Sequence, residues 1–170
     1  MIPEDETKEL QKNLIMSHSC GVGNPLPEDI ARGIMVLRAN NLAKGFSGIR
    51  LETTETILKM LNAGITPIIP EKGSLGASGD LAPLSHMVQP MLGLGECYYK
   101  GEVRKSVDAM KEAGIETIEL TSKEGLALIN GTQVMTSVGA LTLYDGMNIS
   151  KVSDIAAAMT ICLLYTSDAA

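Results

Sequence analysis

The stretch EKGSLGASGDLAPLSHM, Glu71 to Met87, gathers the residues of this chain with the clearest capacity for chemistry. Gly73, Gly76 and Gly79 alternate with small residues, and a helix start follows at Asp80. Such a loop can cradle a phosphate, serve as a plain connection, or react with itself. Phosphate binding fails on spacing. The patterns G-x-x-x-x-G-K-[ST] and G-x-G-x-x-G are both absent, and Asp80 puts negative charge where an anion would sit at the helix N-terminus. A plain connection asks only for glycines that tolerate positive φ. Self-reaction makes use of every residue of Ala77-Ser78-Gly79. A glycine nitrogen, with no Cβ beside it, can approach the carbonyl two residues back. Attack of the Gly79 nitrogen on the Ala77 carbonyl, with loss of water, closes a five-membered imidazolone. Elimination of the Ser78 hydroxyl then leaves an exocyclic methylene.

A few other residues have chemical potential. His18 follows an apolar helical run, with Ser17 before it and Cys20 just after. Taken alone, a single histidine in that setting is structural, although its ring can also hydrogen-bond a ligand. Asn130-Gly131 reads as a break between helices. Its amide could also donate to an oxyanion without any change of charge. Asp80 is a good N-cap for the helix that follows it, and His86 on that helix reads as packing or capping. His18 and Cys20 are too close together and too unsupported to bind a metal, so no metal site is expected.

The elements that must position these residues are mostly helices. Pro27, Glu28 and Asp29 open a first turn, and Ile30, Ile34 and Leu37 then share one face, up to Gly45 and Gly48. A second helix spans about 52–63 and stops at Gly64, with Pro67 beyond. Residues 65–79 read as loop, and Pro83 falls in the first turn of the next helix, where its missing N–H costs little. Residues 96–105 alternate around Lys100-Gly101 as a small hairpin. A short helix near 106–113 follows, then a capping box at Thr121-x-x-Glu124. A break at Asn130-Gly131 precedes a long apolar helix reaching about Leu164. Residues 165–170 lack packing logic and read as a non-native or disordered tail.

Composition bounds the class. The 170 residues are 45% apolar, 20% charged and only 3% aromatic, so Ala, Leu, Ile and Met must fill the core. That choice favours packed helices, a mainly α fold. A net charge of −6 without a basic stripe argues against nucleic acid as a partner. Three widely spaced cysteines suggest no disulfide framework, in keeping with a reducing cytoplasm. The acidic start does not resemble a signal peptide, and the apolar run 155–164 is shorter than a membrane span needs. No membrane is expected.

The run GSLGASGDLAPLSHM resembles the signature of the aromatic amino acid ammonia-lyases, the histidine-specific branch in particular. The likeness extends to LIMSHSCGVGNPL (14–26), MVLRANNLAKGFSGIR (35–50) and KEGLALINGTQ (123–133). It implies a portion, residues 1–164, of a helical-bundle (L-aspartase/fumarase-like) protein whose complete members are longer homotetramers with active sites built from several subunits. It also implies that Ala77, Ser78 and Gly79 form 4-methylideneimidazol-5-one (MIO), an electrophile made from the chain itself, with no external cofactor. Asp80 would help hold or mature that group, and Asn130 would contact it. Ser17-His18 would set the substrate as L-histidine, which loses ammonia to give trans-urocanate. Phenylalanine or tyrosine ammonia-lyases, aminomutases, and a non-catalytic helical scaffold are the alternatives. The family's catalytic-base tyrosine and its remaining substrate-binding residues match nothing in this chain.

Overall fold

The computed structural model describes residues 4–76 and 79–168, so the expectations for Ala77 and Ser78, and for residues 169–170 of the tail, lie outside the described residues. The chain divides into two compact units, Met1–Ser137 and Val138–Ala170. The described residues are mainly α, as composition implied.

In the first unit, α1 (Glu4–His18), α2 (Glu28–Leu42), α3 (Leu51–Ala63) and α4 (Leu81–Val88) supply most of the core. Ile15, Ile34, Met35, Leu42, Ile57, Met60, Leu84 and Met87 are at most 1–2% exposed. Aliphatic and methionine side chains do the packing that aromatics do elsewhere. α3 ends where Gly64 enters the left-handed region at φ 75°, the conformation that favours glycine at a helix end. A short 3-10 helix (Gln89–Leu92) and α5 (Ser106–Glu112) complete this side, and α6 (Glu124–Ile129) packs against α1 and α4.

Two small antiparallel sheets punctuate the helices. β1 (Val22–Pro25) pairs with β3 (Pro70–Lys72), and β2 (Thr66–Pro67) pairs with β4 (Glu96–Tyr99), itself paired with β5 (Glu102–Lys105). The β4–β5 hairpin turns at Lys100 and Gly101, with φ 55° and 81°, the positive pair a tight two-residue hairpin requires. β2 and β3 correct the reading of 65–79 as loop. Both are very short and contain proline, which hides them from any alternation pattern.

α7 (Gln133–Asp168) begins in the first unit and forms the second. From Leu143 to Leu164 its large apolar side chains, among them Met147, Ile149, Ile155 and Leu163, are more than half exposed. An 18-residue window there reaches a mean hydropathy of 1.3. By length and composition alone the helix is long and apolar enough to cross a membrane, a test that core helices of soluble proteins also pass. A helix apolar on all sides is equally one that another protein surface buries.

Candidate active site

The β1–β3 pairing joins two distant stretches. Val22 faces Lys72 in the ladder, so the turn after His18 lies beside the start of the glycine-rich loop. The approach is close. A Cβ on Gly73, whose φ is +151°, would stand 3.1 Å from the Gly21 Cα. His18, Ser17, Cys20, Leu75, Gly79 and Leu81 then line one pocket of about 330 Å³. A larger groove of about 680 Å³, lined by Leu10, Leu14, Arg38, Leu126 and Asn130, contains neither His18 nor Gly79. Of the candidate residues, Ser17, His18 and Gly79 line the smaller pocket, and Asn130 lines the larger groove.

His18 is the last residue of α1, half-buried, with Nδ1 2.9 Å from the Leu14 carbonyl and 3.1 Å from the Ser17 hydroxyl. A carbonyl only accepts, so Nδ1 is the protonated nitrogen of the neutral ring. Nε2 is left as an acceptor. Ser17 donates to the same Leu14 carbonyl at 3.0 Å.

Gly79 lies against the corner between α6 and α7. A Cβ there would stand 2.5 Å from the Asn130 Oδ1 and 3.0 Å from the Gly131 nitrogen. A larger residue there would have to turn the Asn130 amide aside and press on the Gly131 nitrogen. The corner is held from two sides. Arg38, 2% exposed on α2, donates to the Ala127 carbonyl, to the Asn130 carbonyl at 3.2 Å and to the Gln133 side chain at 2.9 Å. A cation on the last carbonyls of a helix opposes their partial negative charge. Burial pulls the Arg38 guanidinium down to about 10, so it stays protonated at neutral pH. On the other side, the Asp80 backbone N–H donates to the Gly131 carbonyl at 2.7 Å.

The Asp80 side chain departs from expectation. It makes no cap bond to α4. Its Oδ2 instead accepts from the Val134 and Met135 backbone N–H groups, at 3.1 and 3.2 Å, so it caps α7, far away in sequence. Its Oδ1 accepts from the Ser74 hydroxyl at 2.5 Å. The positive end of α7 is thus already occupied by a carboxylate, while the first turn of α4 has no side-chain cap. His86 serves as an acceptor for the loop between α1 and β1 rather than as a helix cap. Its Nε2 takes the Gly21 N–H at 3.1 Å, and burial lowers its pKa. The Thr121–Glu124 box forms by half: the Glu124 carboxylate accepts the Thr121 N–H at 2.8 Å, but the Thr121 hydroxyl turns to that carboxylate rather than to a helix amide.

Sequence reasoning passed over Ser74 and Arg38. Arg38 did leave a signal, since it falls four residues after Ile34 on the apolar face of α2. Ser74 left none, because its partner, Asp80, was assigned to another helix. Among the described residues no group of His, Cys, Asp and Glu could hold a metal.

The aromatic amino acid lyase family model matches residues 1–170, and the chain belongs to that family. Within it, a histidine ammonia-lyase of Alkaliphilus oremlandii is 66% identical over 161 residues, 95% of this chain and 32% of that protein. The chain thus spans about a third of the length of the curated relatives it matches. The structure of a histidine ammonia-lyase from Trypanosoma cruzi superposes with a TM-score of 0.78 at 50% identity, covering 82% of this chain and 27% of the other. That of a phenylalanine aminomutase from Pantoea agglomerans gives 0.81 at 39% identity, covering 87% and 28%.

Proposed function

We propose that residues 1–164 are the prosthetic-group portion of a histidine ammonia-lyase, which eliminates ammonia from L-histidine to give trans-urocanate. The observation that carries this reading is the contact of Gly79 with the Asn130 amide, in a corner adjoining the pocket that His18 lines. The residues present fit an MIO formed from Ala77, Ser78 and Gly79. Position 79 is crowded for any residue larger than glycine, and an amide already lies against it. The group supplies an electrophilic methylene for the substrate to meet. Asn130 presents its amide to the group and can donate to an oxygen that gains charge. Asp80 holds the end of the triplet to α7, and the free Nε2 of His18 accepts an N–H from the substrate imidazole.

The exposed apolar length of α7 supports burial by other copies in a homotetramer of the full-length protein. With a net charge of −6, neither nucleic acid nor a membrane surface is the natural partner of such an assembly, and we place it in the cytoplasm. The aminomutase likeness favours a second reading, a phenylalanine- or tyrosine-specific member, and His18 discriminates between them. A site built to hydrogen-bond an imidazole rejects a phenyl ring by up to about 10⁴-fold, because its polar groups are left unpaired.

The test uses the full-length protein. Intact mass should show the loss of two waters, and Ser78→Ala should lose less and be almost inactive. Urocanate formation should exceed cinnamate formation by orders of magnitude, and the Ser17→Phe, His18→Leu double variant should lose histidine turnover. An unmodified active protein would defeat the prosthetic group. Equal turnover of both amino acids would defeat the role of His18 alone.

A further inference from the structure

Ser74 has no part in the chemistry described so far, yet its hydroxyl makes two polar contacts that join the loop to Asp80. Its single hydrogen goes to Asp80 Oδ1 at 2.5 Å, and its oxygen accepts the Gly76 N–H at 3.3 Å. A contact this short is typical of a hydroxyl on a carboxylate. The Asp80 end is held at both carboxylate oxygens and at its backbone N–H. That residue is fully buried, its other oxygen caps α7 and its own N–H is bound to the Gly131 carbonyl. On the near side, Gly73 and Gly76 stand at φ 151° and 61°, conformations that cost little for glycine but gain nothing by themselves. The Ser74 hydroxyl is the contact that ties this turn to the fixed carboxylate.

We propose that Ser74 is a positioning residue for the self-cyclisation of Ala77-Ser78-Gly79, holding the residues on either side of the triplet together through Asp80. The inference rests on the prosthetic-group reading above. In the reaction, a bond forms between the Gly79 nitrogen and the Ala77 carbonyl carbon. The Ala77 oxygen leaves as water with the hydrogens of the Gly79 and Ser78 nitrogens, and a C=N bond forms to Ser78. The second water takes the Ser78 hydroxyl and its Cα hydrogen. No oxidant or reductant is needed. What the fold must supply is approach, since an amide nitrogen is a poor nucleophile and a free loop seldom brings it onto that carbonyl. Holding two reacting groups in place is worth several orders of magnitude in rate.

The experiment compares Ser74→Thr with Ser74→Val in the full-length protein, two side chains of nearly equal shape that differ in the hydroxyl. The readout is the mass of the peptide carrying the triplet, followed with time after synthesis, together with circular dichroism to establish folding. Thr should mature like wild type. Val should lose its two waters at least about tenfold more slowly, a factor that one lost orienting contact readily produces. Ser74→Ala removes the hydroxyl without adding bulk and repeats the test if the Val variant does not fold. Val or Ala maturing at the wild-type rate overturns the proposal, as does equal failure of Thr and Val, which would assign the effect to packing. A wild-type protein that keeps both waters would instead defeat the prosthetic-group reading itself.

Discussion

Asp80 and Glu124 are the two buried carboxylates among the described residues, 0% and 1% exposed, and they solve the same problem differently. Glu124 has a cation. Its oxygens accept from the Arg50 guanidinium at 2.8–3.1 Å, the Arg50 N–H, the Thr53 hydroxyl and the Thr121 N–H. Burial alone would push its carboxyl up; the Arg50 bonds, with the threonine donors, outweigh this and hold it at about 2. Asp80 makes no ion pair among the described residues. It is satisfied by one hydroxyl and by the first amides of α7. Amide dipoles hold the carboxylate with only partial charges. The difference separates a structural clamp, which joins α3 and the Arg50 loop to α6, from a clamp that adjoins the proposed site.

If that division holds, substitutions at the two clamps should fail in different ways. The largest effect is expected at the site. Gly79→Ala drives a methyl into the Asn130 amide, at 2.5 Å from Oδ1, and obstructs the nitrogen that attacks in the proposed cyclisation. Activity of the full-length protein should fall by at least about 10³-fold, the scale on which misplaced reacting groups are penalised, and the two waters should be retained. A matured, active Gly79→Ala protein would remove the geometric basis of the site.

At the structural clamp the loss should be in stability. Glu124→Ala leaves Arg50 only its exposed pair with Glu52 and its bond to the Glu119 carbonyl. The cost should be about 2 kcal/mol, below the range for a fully buried pair because Arg50 stays partly solvated. Urea unfolding measures this, while mass should show the triplet still dehydrated. The same carboxyl predicts acid sensitivity. Its pKa lies below the ordinary 4.5, so its contribution is complete above that value and is lost as pH falls toward about 2. Glu124→Gln should flatten this limb. Loss of maturation in Glu124→Ala, with no loss of stability, would erase the distinction between the clamps.

Much of this architecture was legible in the sequence, because helix ends are marked locally. Gly64, the Lys100-Gly101 turn and Asn130-Gly131 were each read from one or two residues whose backbone preferences leave little choice. The site was legible only as a list of side chains. What joins them is non-local: β1 and β3 are too short and too rich in proline and glycine to show alternation, and they are what bring His18 to the loop. Asp80 shows the same limit. A helix start explains an aspartate there so well that nothing in the local pattern suggests its side chain serves a different helix, 54 residues away.

The smallest effect expected lies at the seam between these regions, where His86 of α4 accepts the Gly21 N–H at 3.1 Å. Gly21 follows His18 by three residues and lies in contact with Gly73, so this bond helps align the His18 side of the pocket with the loop. Only the unprotonated Nε2 can accept it. Burial holds the pKa of His86 below its ordinary 6.5, so the unfolded chain takes up the proton first as pH falls. The stabilisation is therefore complete above about 6.5 and is lost on acidification through the lowered value. A single proton limits the slope to about 1.4 kcal/mol per pH unit. His86→Gln can keep an acceptor in place without titrating. Urea unfolding at pH 7.5 and 5.5 should show a smaller loss for His86→Gln than for wild type, with Glu124→Gln behaving like wild type over that range. Equal losses in all three would mean that the neutral ring contributes nothing to holding the turn after His18.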